Sequence, residues 1–243
     1  MRPLALILAL ASLLVVSGAA VADQVYLAAD FDDKAIDEPI GTGGAEVGEP
    51  IVVDPDITAT VRSSPFDTPS LGIQDIDDYT AGTVQFEFLG SAEITTDLVV
   101  ISARVQVPEF VEGGNFAIAV REQGSAAHAF SDIQLVEGGV VGGSDAAGGL
   151  GQIGTYQAGV TLHIMIVHHL DAGTYDVWLD GAKVLDGRAH GITERGIGGV
   201  YFGCLSDPST GDLFFVDDIS VTDFMPTPVV PETWGSLKQI FRQ

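Results

Sequence analysis

The sequence predicts an all-β protein built as a two-sheet antiparallel sandwich, and three observations carry that prediction. Glycine- and proline-marked turns recur about every 8 to 12 residues, the spacing of short strands in a sandwich or barrel. No long segment repeats its apolar residues at helical spacing. The apolar residues alternate instead, which on a pleated strand sends one set inward and leaves the other outward.

Taken in chain order, the strands justify themselves one by one. Val84, Phe86 and Phe88 share a face, as do Val99, Ile101, Ala103, Val105 and Val107. Phe116, Ile118 and Val120 follow, then Leu162, Ile164 and Ile166, then Tyr175, Val177 and Leu179. Each set is expected to point into the space between two sheets. "DAGT" (Asp171 to Thr174) predicts a hairpin, and Asp180-Gly181 predicts the turn that ends the next strand. Residues 137–151 are glycine-rich and predict a flexible loop or weak hairpin near a rim; with no following lysine or helix, they exclude a phosphate-cradling loop. The last strand, "DLFFVDDISVTD", places Phe215, Asp217, Ile219 and Val221 on one face and Val216 and Asp218 on the other. An ionised carboxylate on an apolar face needs a cation, backbone donors or a raised pKa.

The chain ends differ from the domain between them. Arg2, the apolar run "LALILALASLLVV" and the small residues Ala20 and Ala22 predict a secretory signal peptide over residues 1–22, cleaved after Ala22. The apolar run is too short to span a bilayer as a helix. Residues 23–224 form the sandwich domain. Residues 225–243 predict a proline-rich connector and a short amphipathic helical tail, with Trp234, Leu237 and Phe241 expected on one side and Thr233 as candidate N-cap. Lys238 and Arg242 suit the tail's C-terminus, and the segment is either packed back on the domain or read by a sorting or anchoring partner.

Composition narrows the partners. The chain has 10 Lys+Arg against 34 Asp+Glu and a formal charge of −24. Such a surface repels nucleic acid and anionic membranes and favours divalent cations or neutral ligands. The acidity suits either a saline setting or plain solubility. Cys204 is the single cysteine, so an exported domain lacks an intrachain disulfide, and Cys204 is expected to be a buried apolar residue.

"VYLAADFDD" near the start, "AGTYDVWLDGAKV" in the middle and "GVYFGCLSDPSTGDLFFVDDISVTD" near the end resemble the concanavalin A-like lectin/glucanase superfamily, in the style of laminin-G-like jelly rolls. The two end pieces also resemble jelly-roll carbohydrate-binding modules. The resemblance covers most of residues 25–224 and implies a jelly-roll sandwich whose first and last strands pair and share a structural calcium. On that pairing Asp30, Asp32 and Asp33 come near Asp217, with Asp218 as a secondary ligand, and carboxylates from both chain ends offer an all-oxygen cage for Ca²⁺. Sodium, or a hydrogen-bonded carboxylate without metal, are the alternatives.

The glucanases of the superfamily carry Glu-x-Asp-x-x-Glu on one strand, and this chain has no such run, so a binding function is expected rather than hydrolysis. The histidines, His128, His163, His168, His169 and His190, lack zinc-site spacing; a site at His163, His169 and Asp171 is weaker than surface or hairpin-end positions. The predicted ligand face gathers Trp178, Arg104, Gln106, Arg121 and His163 on the outside of one sheet, where an aromatic platform, planar donors and an amide suit a sugar ring. Alternatively, Trp178 packs under the glycine-rich loop. The expected function is a secreted, non-catalytic glycan- or polysaccharide-binding protein. A cell-surface adhesion protein displayed through Trp234–Phe241 is the alternative, and a divergent glycoside hydrolase or lyase the third.

Overall fold

The computed structural model describes residues 24–41, 51–76, 82–88, 93–95, 98–110, 112–124, 129–145, 147–191, 194–205 and 213–223. The predicted leader and the C-terminal tail lie outside them, as does His128. Among the described residues the strands are β1 (Val25–Ala29), β2 (Ile51–Val53), β3 (Ile57–Arg62), β4 (Ser70–Asp75), β5 (Gly82–Glu87), β6 (Leu98–Gln106), β7 (Asn115–Arg121) and β8 (Ala129–Val136). They continue as β9 (Val140–Ser144), β10 (Leu150–Thr155), β11 (Leu162–His169), β12 (Thr174–Leu179), β13 (Ala182–Ala189), β14 (Gly199–Cys204) and β15 (Leu213–Thr222). A single 3-10 turn, Leu170–Ala172, is the helical element among them, and no described helix is long and apolar enough to cross a membrane.

Two antiparallel sheets form the predicted sandwich. The first runs β13-β12-β11-β6-β15-β4-β3, with β1 added beside β15; the second runs β10-β9-β8-β7-β14-β5-β2. The alternation predicted for β5, β6, β7, β11 and β12 is the observed one: Phe86, Ile101, Ile118, Ile164 and Val177 and their same-face neighbours all lie in one core. Cys204 is buried in that core as a free thiol. Aromatic pairs join the layers, with Phe116 of the second sheet stacked on Phe214 of the first at 5.3 Å between centroids. Asp180 and Gly181 both adopt positive φ, 47° and 79°, as a tight two-residue β12–β13 turn requires. Of the two expectations for residues 137–151, the hairpin is the observed one: they supply β9 and the start of β10, which pair antiparallel, and Asp145 Oδ1 accepts the N–H groups of Ala147 and Gly149 near the connecting turn.

The last strand departs from simple alternation. Against β6 its register steps from Asp217↔Arg104 to Ser220↔Ser102, so two residues of β15 stand opposite one of β6. Asp218 occupies this bulge with φ 48°. A bulge inserts one residue and therefore reverses which side chains face inward. Phe214 and Val216 face the core before it, and Ile219 and Val221 after it. The expectation that Asp217 shares a face with Ile219 and Val221 is thus corrected: Asp217 sits with Phe215 on the other side of the sheet. The bulge also falls where the neighbouring strand changes. β4 pairs with Leu213–Val216, and β1 pairs with Ile219–Thr222. First and last strands therefore pair, as the resemblance implied.

Because Phe214 is fully buried between the layers, Phe214→Ala is expected to lower the unfolding free energy by about 3–5 kcal/mol, read as a shifted urea midpoint.

Candidate functional site

The predicted ligand face is split between the two sheets. Trp178 on β12, His163 on β11 and Arg104 and Gln106 on β6 all belong to the first sheet. Arg121 lies on β7 in the second, where its guanidinium stands over the Tyr201 ring at 5.7 Å. The expected five-residue surface is therefore not one surface: parity was legible, but which sheet each strand joins was not. The four residues that do share a sheet are engaged with neighbours. Lys183 Nζ covers the Trp178 ring at 5.1 Å from its centroid. His163 Nε2 is 2.8 Å from Ser102 Oγ, and Gln106 Oε1 accepts from Thr161 Oγ1 at 3.1 Å.

Arg104 is committed to the bulge. Its Nη2 donates to Asp217 Oδ2, and its Nε lies 2.7 Å from Asp218 Oδ2 in an ion-pair contact off the hydrogen-bond line. Thr68 Oγ1 donates to the same Asp217 oxygen at 2.9 Å, and the Asp218 N–H donates to Asp217 Oδ1 at 2.8 Å. Phe66 lies 5.0 Å from the guanidinium, so the β3–β4 connection covers the cluster. One guanidinium cannot neutralise two carboxylates. Burial first, and the Asp218 charge second, push Asp217 up to about 7, against the opposing pull of Arg104.

This arrangement does not fit the expected calcium cage. Both Asp217 oxygens are taken by protein donors, and the charge assigned to a cation is supplied by Arg104. Asp30 accepts the Asp32 N–H at 3.1 Å, closing a local turn beyond β1. Among the described residues no three His, Cys, Asp or Glu side chains come together to hold a metal ion, which applies equally to the zinc alternative at His163, His169 and Asp171. His169 Nε2 instead lies 3.1 Å from Asp176 Oδ2.

Sequence reasoning missed a polar chain between the sheets. His168 on β11 points inward and is fully buried, stacked on Tyr175 at 5.7 Å. Its Nε2 is 3.1 Å from Ser131 Oγ on β8, and its Nδ1 is 3.0 Å from His190 Nε2. One set of tautomers satisfies the chain: His190 donates to the Thr174 backbone and accepts from His168, which accepts the Ser131 hydroxyl. Burial pushes His168 well below the ordinary histidine range and lowers His190 as well. His168 and His190 are therefore interior residues, not the expected surface or hairpin-end ones. Strand parity already separated His168 from His169; nothing in the sequence paired it with Ser131 or His190.

His190 opens onto a rim pocket of about 420 Å³ at the end of the sandwich. Among the described residues its wall includes Phe130, Leu170, Thr95, His190 and Arg195. Gly191 and Gly196 allow the wall to close, since a Cβ there would stand 2.1 Å from the Ala129 carbonyl oxygen and 2.3 Å from that of Ile94. Arg195 is held at the mouth: Nη2 donates to the Gln123 carbonyl at 2.8 Å and lies 3.1 Å from Glu93 Oε1. Buried Glu122 accepts the backbone N–H groups of Glu194 and Arg195 and so fixes the loop before β14.

No protein-family description and no curated protein matches the sequence. Similar solved structures include a protein titled "Sialidase" (15% identity, TM-score 0.53, 70% of this chain and 16% of that one). A Trypanosoma rangeli sialidase is similar at 13% identity and TM-score 0.52, over 70% of this chain and 28% of that one. A carbohydrate esterase of the Shiga toxin-encoding bacteriophage phi24B is similar at 10% identity and TM-score 0.54, over 82% of this chain and 98% of that one. The chain thus spans under a third of the two sialidases, and at these identities the likeness establishes the β-sandwich fold alone.

Two pH responses follow. Folded Asp217 holds a proton that the unfolded chain, titrating near pH 4, releases, so its contribution declines as pH rises from about 4 through 7. The stability of the wild type relative to Asp217→Asn should therefore fall between pH 5 and 8 in denaturant titrations; a constant difference would contradict the buried proton. His168 acts oppositely. Its depressed pKa leaves it neutral in the folded state, so its contribution is complete above about pH 6.5 and lost as pH falls below that. Calorimetric melts of His168→Phe should show a shallower acid-side decline than the wild type.

Proposed function

We propose that the protein is a secreted, non-catalytic glycan-binding β-sandwich of the concanavalin A-like kind, with the rim pocket as its ligand seat. The pocket carries the proposal. Its volume of about 420 Å³ lies within the range of small-ligand sites, and its wall, more polar than apolar, sets two apolar faces among polar edges. Phe130 and Leu170 suit the apolar face of a sugar ring, while Thr95, Arg195 and the backbone around Gly191 and Gly196 suit its hydroxyl rim. The rim is favoured over the outer sheet because Trp178, Arg104, Gln106 and His163 are already spent on protein partners.

Binding is favoured over hydrolysis on the same ground. The adjacent carboxylates Asp217 and Asp218 are buried and tied to Arg104, and the nitrogen lone pairs of His168 and His190 are used within their chain. The leader-like residues 1–22 and the tethered Trp234–Phe241 segment support an exported protein, released or held at a cell surface.

Thr95→Trp, which fills the pocket, is expected to weaken retention on a polysaccharide or glycan array by about tenfold or more, while Trp178→Ala changes it less than about twofold. Melting curves of both variants check that each is folded. Loss in Trp178→Ala with retention in Thr95→Trp would place the ligand on the outer sheet instead.

A further inference from the structure

The charge balance around Arg195 has a consequence for which sugars the pocket takes. Arg195 is the cation lining the pocket among the described residues, and its side chain is about half exposed. A free guanidinium there would favour a uronate or sialate carboxylate, through paired charge-assisted hydrogen bonds. This one is not free. Nη2 faces Glu93 Oε1 and the Gln123 carbonyl, and Nε lies 3.8 Å from Glu122 Oε2. Both carboxylates are themselves anchored: Glu93 Oε1 accepts the Gln123 N–H at 3.2 Å, and Glu122 Oε1 accepts two loop N–H groups. Glu122 is almost wholly buried, and Glu93 is 14% exposed, so solvent screens neither fully.

Among the described residues, two carboxylates around one guanidinium leave the surroundings of Arg195 with a surplus negative charge, on a molecule that is itself strongly acidic. A ligand carboxylate would have to displace a built ion pair or sit beside its surplus negative charge, and either is unfavourable. We assign Nη1, which has no partner among the described residues, to donate to a hydroxyl or an amide carbonyl. His190 adds no positive charge near neutral pH, because burial lowers its pKa.

We infer that the rim pocket selects uncharged sugars and rejects acidic ones, and that Glu93 and Glu122 set this selectivity by neutralising Arg195. The inference rests on the glycan-binding reading above and specifies its ligand. The test uses the full mature chain and matched pairs that differ in charge alone: methyl-esterified pectin against its de-esterified form, and array glycans with and without terminal sialic acid. Measurements are made at about 0.5 M salt, where long-range repulsion from the rest of the surface is screened within a few ångströms. The neutral member of each pair that binds is expected to bind about tenfold more tightly than its acidic counterpart.

Glu93→Gln should narrow that ratio by about threefold or more, while the exposed-site control Glu112→Gln leaves it within about 1.5-fold. Arg195→Met, which leaves both carboxylates uncompensated, should widen it. Equal binding of acidic and neutral partners overturns the selectivity while leaving glycan binding intact. A ratio unmoved by both Glu93→Gln and Arg195→Met overturns the assignment to these residues. Retention of no glycan of either kind overturns the binding reading and this inference with it.

Discussion

Arg104 between Asp217 and Asp218 is the interaction on which the first sheet depends. β15 is central to that sheet and has three partners: β6 along one side, then β4 and β1 in succession along the other. The bulge at Asp217–Asp218, recorded against β6, falls where the partner on the other flank changes from β4 to β1. A bulge brings its own difficulty, since it interrupts the ladder and buries polar groups that must then be satisfied. The carboxylates satisfy them locally, with Asp217 accepting the Asp218 N–H, and Arg104 from the adjacent strand contacts both and offsets one of the two charges. A buried ion pair of this kind adds little net stability over an apolar replacement, but removing one member leaves a buried charge, so it fixes register strongly.

A second polar device spans the layers at the pocket end. Ser131, His168 and His190 link the second sheet, the first sheet and the segment after β13 through neutral hydrogen bonds. The protein has one cysteine, buried and free, so no disulfide performs that cross-linking. Hydrogen-bonded imidazoles held neutral by burial offer direction without the desolvation penalty of a charged pair. They also orient the His190 ring in the pocket wall. The rim is thus tied to the core through His190, while Arg195 at the rim is held by Glu93 and by Glu122.

How much was legible in the sequence depends on the range of the forces involved. Alternation placed Phe86, Ile101, Ile118, Ile164 and Val177 and their neighbours in the core, because pleating is local and one face of each strand must be buried. The turn at Asp180-Gly181 was equally local. The same rule failed at Asp217: a single inserted residue reverses parity, and nothing within β15 announces it except the two adjacent aspartates, which suggested a cation. The cation proved to be an arginine 113 residues earlier in the chain. For the ligand face, outward orientation was read correctly for Arg121, but its sheet was not, since sheet membership is decided by pairing between distant strands.

The sequence by itself determined an acidic, all-β sandwich, the inward face of most strands, a thiol without a disulfide partner and the residue types available for binding. These follow from composition and from a period of two, which act over a few residues. Tertiary structure alone decided that Arg104 serves the bulge rather than a ligand, that His168 and His190 are interior, and that Thr95, Phe130 and Arg195 meet at one rim. Those outcomes depend on strand order and register, which are set by the collective packing of both sheets and leave no mark in any single stretch of chain.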